Sequence, residues 1–484
     1  MYLRTVKTSS GAVAVQVVEY VNRKRIILTH LGSAKDNKEL ESLKRSAHLW
    51  IEKNNPQKSL FPAIDIKKGK REISSLISID KCSYLGFRYN LFYEVMSRIT
   101  HLFKFHLIKP SFDNKNRDLK SNSNSNSNIK FNKILSDLVI IRLLQPDSKV
   151  RSLEFLEQYF GINHDRRDLY RHLEKISNLK DQIESKIINF AKKRLNFDFS
   201  LVFYDLTTIY FESFKSDELR KNGFSKDNKI NQPQIMIGLL VNKEGFPISH
   251  QIFEGNKFEG HTLIPVISKL LKKHKIDKQN ITIVADAAMI SKENINFLIK
   301  EEFQFIVGAR IANLNEEKID NINNNLNQID NNIYRIDNEK QENCHLITHF
   351  SNERYRKDKH EIKKQLIKAK NLLSNPDPSQ INKRSKFLTK TKDNNKEQYQ
   401  LNDKLIEKSQ KLLGIKGYYT NLAQNNQLNL SNRDIINKYR NLWQVEKSFR
   451  ISKSDLKVRP IYHYKDYTIR SHIIICFMAL AIAK

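Results

Sequence analysis

Two aspartates stand where apolar segments stop: residues 199–204 run into Asp205, and residues 281–285 run into Asp286. If both segments are strands of an open sheet, both carboxylates lie at the edge where strand ends present ligand-binding side chains. Close carboxylates repel one another unless they share a cation, and oxygen donors of this kind suit Mg²⁺ or Mn²⁺. A third acid, Glu446, falls on a long helix expected from about Asn432 with Ser431 as its cap. Tyr439 and Lys453 flank it at seven-residue spacing, two helical turns each, so phenol, carboxylate and amine share one face. Taken singly, each aspartate reads first as a turn former or cap. Glu446 alone reads as a surface acid paired with Arg450 at i,i+4.

The elements needed to position these residues are legible around them. Strands are expected over 199–204, 235–241 and 247–253, a helix over 262–274, a strand over 281–285, a helix capped by Ser291, and a strand over 304–307. That order describes an α/β ribonuclease H-like core, a mixed five-stranded sheet with helices. Its first part spans 199–312. A polar Asn/Lys-rich insertion over 313–411 follows, with strand character at 344–350, helix character at 356–373 and Pro376-Asp-Pro378. The core resumes over 412–484 with a strand at 415–421 and the helix that bears Glu446.

Upstream lies a mostly helical region that begins with a β-hairpin. Residues 1–120 hold β-branched runs over 11–31 broken at Asn22-Arg23-Lys24, apolar residues at helical spacing from Leu40 to Ile51, and a basic cluster at 67–71. The Ser-Asn repeat over 121–128 has nothing to bury and reads as a flexible linker. Residues 129–198 are helical. Segments 153–160 and 165–176, joined at Gly161-Ile162-Asn163, read as a helix-turn-helix carrying Arg166, Arg167, Arg171 and His172, or as an ordinary helical hairpin with a solvated basic face.

Composition narrows the partners. Of 484 residues, 84 are Lys or Arg and 53 Asp or Glu, a formal net charge of +31, which makes a polyanion the first partner to consider. Lys, Asn and Ile are abundant, as A/T-rich coding would produce, and an excess of Lys from that source accounts for part of the charge. Hydrophobic residues at 39% exclude wholesale disorder. Three scattered cysteines form no disulfide framework, which suits a reducing, cytoplasmic setting. The longest apolar run, 473–483, falls short of the roughly 20 residues of a membrane helix, so a soluble protein without a membrane partner is expected. The chain ends at Lys484 directly after that run, which raises the expectation of a truncated final helix. Cys344, His345 and His349 lack a second cysteine pair for zinc, and no phosphate-binding Gly-x4-Gly-Lys loop occurs.

Taken together, the three acids and their surroundings resemble the DDE transposases of bacterial insertion sequences. The segments Phe203-Tyr204-Asp205-Leu206-Thr207-Thr208 and Ile283-Val284-Ala285-Asp286-Ala287 look like the family's first and second acid motifs, with Glu254-Gly255-Asn256, Glu259 and Thr262-Leu263 between them. Tyr439, Glu446 and Lys453 match the Tyr-Arg-Glu-Lys signature around the third acid; Leu442 stands where its Arg is expected, with Arg440 and Arg450 nearby. The resemblance covers roughly 200–310 and 411–480. It implies a two-metal phosphoryl-transfer site in which Asp205, Asp286 and Glu446 hold two Mg²⁺ or Mn²⁺ ions. It implies phosphate contacts from Tyr439 and Lys453, and further backbone contacts from Arg450, Arg459 and His463. It also implies a homodimer on DNA, acting on terminal inverted repeats and target DNA in the nucleoid. A nuclease without strand transfer and a catalytically inactive DNA-binding remnant are the alternative readings.

Overall fold

The computed structural model describes residues 1–21, 24–54, 88–110, 121–197, 199–224, 231–274, 281–289, 291–340, 342–374, 386–393, 396–422 and 430–484. The turn residues Asn22 and Arg23, the basic cluster at 67–71, Cys82 and Pro376-Asp-Pro378 lie outside them. The chain divides into two compact units, Met1–Tyr84 and Leu85–Lys484.

In the first unit the expected hairpin is β2 (Val13–Val21) with β3 (Lys24–Ala34), and an unexpected strand, β1 (Tyr2–Lys7), joins β2 antiparallel. Helix α1 (Asn37–Asn54) lies where the spacing predicts it. Alternation puts Val15 and Val17 on one face of β2, where they pack with Ala47, Leu40, Leu43 and Trp50 of α1.

The second unit opens with α2 (Asn90–Leu102), α3 (Ser121–Leu144), α4 (Lys149–Phe160), α5 (Arg166–Ser177) and α6 (Lys180–Arg194). The Ser-Asn repeat, read as a linker, instead begins α3, carried by the apolar stretch that follows it in the same helix. Helices α4 and α5 fall on the two segments read as a helix-turn-helix or helical hairpin, with left-handed Gly161 closing α4 and Asp165 capping α5. Arg166, Arg167 and Arg171 are exposed, whereas His172 is buried against Phe131 and is not part of the solvated face.

One eight-stranded sheet forms the centre. Its strands are β4 (Leu201–Tyr210), β5 (Gln234–Asn242), β6 (Pro247–Glu254), β7 (Thr282–Ala285), β8 (Gln304–Ala309), β9 (Ile333–Ile336), β10 (His345–Phe350) and, after a separate hairpin β11 (Leu388–Asp393) and β12 (Lys396–Leu401), β13 (Ile415–Thr420). They lie in the order β6-β5-β4-β7-β8-β13-β10-β9. The first five strands are those expected: β6, β5 and β4 antiparallel, then β7 and β8 parallel to β4. The five-stranded reading is too small, because β13, β10 and β9 continue the same sheet antiparallel. The polar 313–411 segment therefore contributes to the core. Every residue of β10 is buried, including His345, Thr348 and His349.

The helices are α7 (Leu263–His274), α8 (Lys292–Lys300, capped by Ser291), α9 (Glu316–Leu326), α10 (Asn352–Ser374), α11 (Asp403–Lys411), α12 (Asn432–Arg440), α13 (Trp443–Arg450) and α14 (Asp466–Ala483). Helix α14 is long and apolar enough to cross a membrane by length and composition, yet it is largely buried and packs on α3, α5, α6 and β6. Helix α6 is pinned to β6 by Glu184, buried at 2% exposure. Its Oε1 accepts from Ser249 Oγ at 2.9 Å and the His250 amide at 3.0 Å, and pairs with Lys180 at 3.2 Å. Removing one partner of a buried ionic network leaves the rest desolvated and unpaired. Glu184→Ala is therefore expected to cost about 3 kcal/mol, read as a lowered urea midpoint with an unchanged m-value.

Candidate active site

Strands β4 and β7 lie side by side and parallel, with Tyr204 opposite Ala285. Asp205 follows Tyr204 inside β4, which continues to Tyr210 rather than ending there as expected, and Asp286 follows Ala285 just past β7, so the paired strands bring the two residues to neighbouring positions. Their surroundings differ: Asp205 is half-buried on a strand buried nearly throughout, whereas Asp286 is exposed just past the end of β7. The Asp286 Oδ1 accepts from its neighbour's amide, Ala287 N–H, at 2.7 Å and from the Tyr439 hydroxyl at 3.2 Å.

Tyr439 ends α12, whose capping box joins Ser431 and Asp434 and whose buried residues Ile435, Ile436 and Tyr439 face the sheet. At 3% exposure its ring packs 4.5 Å from that of Tyr418. Burial, and then the Asp286 carboxylate it touches, push the phenol well above its ordinary pKa, and Asp205 adds to the effect. Tyr439 is thus a protonated donor held on Asp286. The approach depends on Gly308 in β8, where a Cβ would stand 2.6 Å from the Tyr439 hydroxyl and 2.9 Å from the Ala287 nitrogen.

The predicted single helix through Tyr439, Glu446 and Lys453 is broken. It is interrupted at Asn441–Leu442 between α12 and α13, and a π-helical turn, Ile451–Asp455, follows α13. The break has a packing cause. Helix α12 contacts β7, β8 and β9, whereas α13 contacts β4 and β5, and the twist of the sheet separates those surfaces. The shared face is lost with it: Tyr439 is buried, Glu446 exposed on α13, and Lys453 half-buried in the π-helical turn. Leu442, at the break, is buried.

Glu446 shares one electrostatic neighbour with Asp286. Lys416 of β13 is within electrostatic reach of both Asp286 and Glu446, which oppose the lowering of its pKa by burial and by Arg354. Its Nζ stands 4.7 Å from the Tyr439 ring centre. A cavity of about 730 Å³ opens here, lined by Asp286, Tyr439, Gly308, Arg310, Arg354 and Lys416 among others. Lys416, Arg354 and Arg310 escaped the sequence reading. The one available signal was a lysine inside the buried, aromatic strand Ile415–Thr420.

The remaining candidates do not line that cavity. Lys453 lines a narrow apolar cleft with Thr207 and Ile209 of β4. The Arg459 guanidinium sits 4.3 Å from the Tyr210 ring centre, and Arg450 is exposed at the end of α13. His463 is not brought to the acids; it lines a separate cavity of about 510 Å³ with Lys149, Arg151, Tyr170 and Tyr462. Cys344, His345 and His349 sit in or next to β10 without forming a metal site, and among the described residues no three His, Cys, Asp or Glu side chains are gathered closely enough to hold an ion.

Residues 196–482 match the transposase DDE domain family, well over half of the chain. The chain belongs to that family. The matched transposase domain begins just before β4 and ends within α14, so it contains Asp205, Asp286, Glu446 and the 313–411 segment together. Two solved structures are similar at low identity. One is the piggyBac transposase synaptic complex with hairpin DNA (TM-score 0.41, 9% identity, covering 80% of this chain and 71% of that one). The other is the Mos1 transposase paired-end complex (TM-score 0.17, 10% identity, covering 55% and 66%). No curated protein matches the chain in sequence.

Proposed function

We propose that the chain is the transposase of a bacterial insertion sequence, binding terminal inverted repeats and carrying out metal-dependent cleavage and strand transfer by a cut-and-paste route. The observation that supports the reading is that Asp205 and Asp286 each follow the last register pair, Tyr204 with Ala285, of the parallel strands β4 and β7 within a transposase domain. Their donor chemistry, carboxylate oxygen without sulfur or imidazole, fits a hard divalent cation. Asp205 and Asp286, joined by Glu446 from α13, would hold two Mg²⁺ or Mn²⁺ ions. Such ions activate a water or 3′-hydroxyl and stabilise the leaving oxygen of an in-line displacement.

The chain's own residues do the rest. Tyr439 fixes the Asp286 carboxylate through its hydroxyl and so acts through Asp286 rather than on DNA directly. Lys453, Arg450, Arg459 and His463 are proposed as backbone contacts, and residues 1–120 as the reader of the DNA ends. A homodimer on two ends, working in the nucleoid, completes the reading. The test is incubation of the protein and Mg²⁺ with a linear duplex carrying the element's terminal repeat and a supercoiled target. Excision products and repeat-to-target joints are expected. Cleavage without joints would identify a simple nuclease, and neither product would defeat the proposal.

The contact of Tyr439 with Asp286 supplies a separate prediction. Gly308→Val puts side-chain atoms where the Tyr439 hydroxyl lies, so it is expected to reduce cleavage about 10- to 100-fold, the usual cost of losing an outer-shell support of a metal ligand. Tyr439→Phe is expected to act in the same direction. Combining the two should add little, because both remove one contact.

A further inference from the structure

We propose that Lys416, with Arg354 beside it, forms a binding site for a DNA phosphodiester on the cavity wall next to Asp286; the inference rests on the transposase reading above. Lys416 is the second residue of β13, the strand inserted between β8 and β10. Its side chain is half-buried between aromatic rings, with Nζ 4.7 Å from the Tyr439 ring centre and 5.6 Å from that of Tyr418. No carboxylate of the described residues lies within ion-pair distance of it. A partly desolvated ammonium without an ion pair is costly to hold unless an anion arrives to meet it.

Its neighbours extend the same charge. Arg354 at the start of α10 and Arg440 at the end of α12 are both close enough to depress the Lys416 pKa, and all three cations depress that of the buried His349. Like charges concentrated in this way oppose folding and are retained where a polyanion is bound. Acids are present too. Asp358 and Glu361 line the cavity, but Asp358 is occupied by Arg354 at 3.3 Å and by the Gly414 amide at 3.3 Å. The Asp286 and Glu446 charges also act on Lys416, opposing the effect of the two arginines.

This arrangement meets a requirement of the proposed chemistry. A phosphodiester approaching Asp205, Asp286 and Glu446 is repelled by them, and a cationic wall on the opposite side offsets that repulsion. Lys416 is a compact donor with three N–H bonds, and Arg354 offers a planar fork, the two side chains best suited to phosphate oxygen. The 313–411 segment, which supplies Arg354, would then build part of the DNA cleft.

The experiment is fluorescence anisotropy of the full chain with a labelled random-sequence blunt duplex of about 30 base pairs, in EDTA across a salt series. Wild type is expected to bind with a steep salt dependence. Lys416→Gln is expected to lower the slope of log K against log salt by about 0.9, one phosphate contact, and to weaken binding about tenfold. Lys416→Arg should retain both. Arg354 is exposed, so Arg354→Gln carries the test if Lys416→Gln fails to fold, and a like loss of slope is expected. Folded variants that keep the wild-type slope and affinity would overturn the phosphate site alone. A wild-type chain that binds no DNA would overturn the transposase reading and the site with it.

Discussion

Asp205→Ala, Asp286→Ala and Glu446→Gln are each expected to abolish Mg²⁺-dependent cleavage while leaving DNA binding largely intact. The separation follows from where the charges sit. Net positive charge is spread over the chain, and removing one carboxylate weakens no cationic contact. The chemical step instead depends on concentrated negative charge that can hold metal ions. Losing a group that stabilises charge in the transition state costs at least roughly 10²–10³-fold, and the effects of groups acting as one unit do not add. The triple variant should therefore be no worse than the most damaging single one. Glu446 is the most informative member, because it lies on α13 and among the described residues it closes no three-residue cluster with the aspartates. Cleavage assays on end-bearing duplexes, paired with anisotropy on the same DNA, check the prediction. Undiminished cleavage in Glu446→Gln would remove that residue from the site and leave Asp205 and Asp286 to be completed by another acid.

Asp286 was legible because both features that place it are local: an apolar β-rich run and a charged residue at its end; Asp205 was expected at a strand end as well, but β4 runs on through Leu206 to Tyr210, whose Thr207 and Thr208 masked the continuing strand. The pairing of β4 with β7 then follows from the order of the elements. What was not legible depended on packing partners distant in the chain. The spacing of Tyr439, Glu446 and Lys453 is that of one straight helix, but two different patches of a twisted sheet receive the two halves, and the helix breaks to serve both. Strand β10 was read as part of a polar insertion because His345, Thr348 and His349 count as polar in any periodicity. The structure buries all three, with Thr348 donating to the Tyr334 carbonyl at 3.0 Å and His349 stacked on Tyr418. Lys416 could not be assigned before β13 was known to lie between β8 and β10, since that placement alone brings it to Asp286.

Acidification from pH 7.5 to pH 5 is expected to lower the stability of the Leu85–Lys484 unit by about 4 kcal/mol through two histidines. His349 and His463 are both pushed down to about 4. Burial is the main cause in each. Arg440, Lys416 and Arg354 add to it for His349, opposed by Asp330, and Lys149 and Arg142 add to it for His463. An unfolded histidine titrates near 6.5, so between about 6.5 and 4 the unfolded chain binds more protons than the folded one. Stability therefore rises with pH across that window. The contribution is fully present above about 6.5 and is lost progressively as pH falls towards 4, at about 2 kcal/mol per histidine by pH 5. His250 and His472, buried and depressed in the same direction, reinforce the slope. Urea midpoints at the two pH values measure the effect. His349→Gln and His463→Gln should each remove about half of the two-histidine share, and the double variant nearly all of it. A pH slope unchanged in the double variant would assign acid sensitivity to other groups and leave both histidines as neutral packing residues.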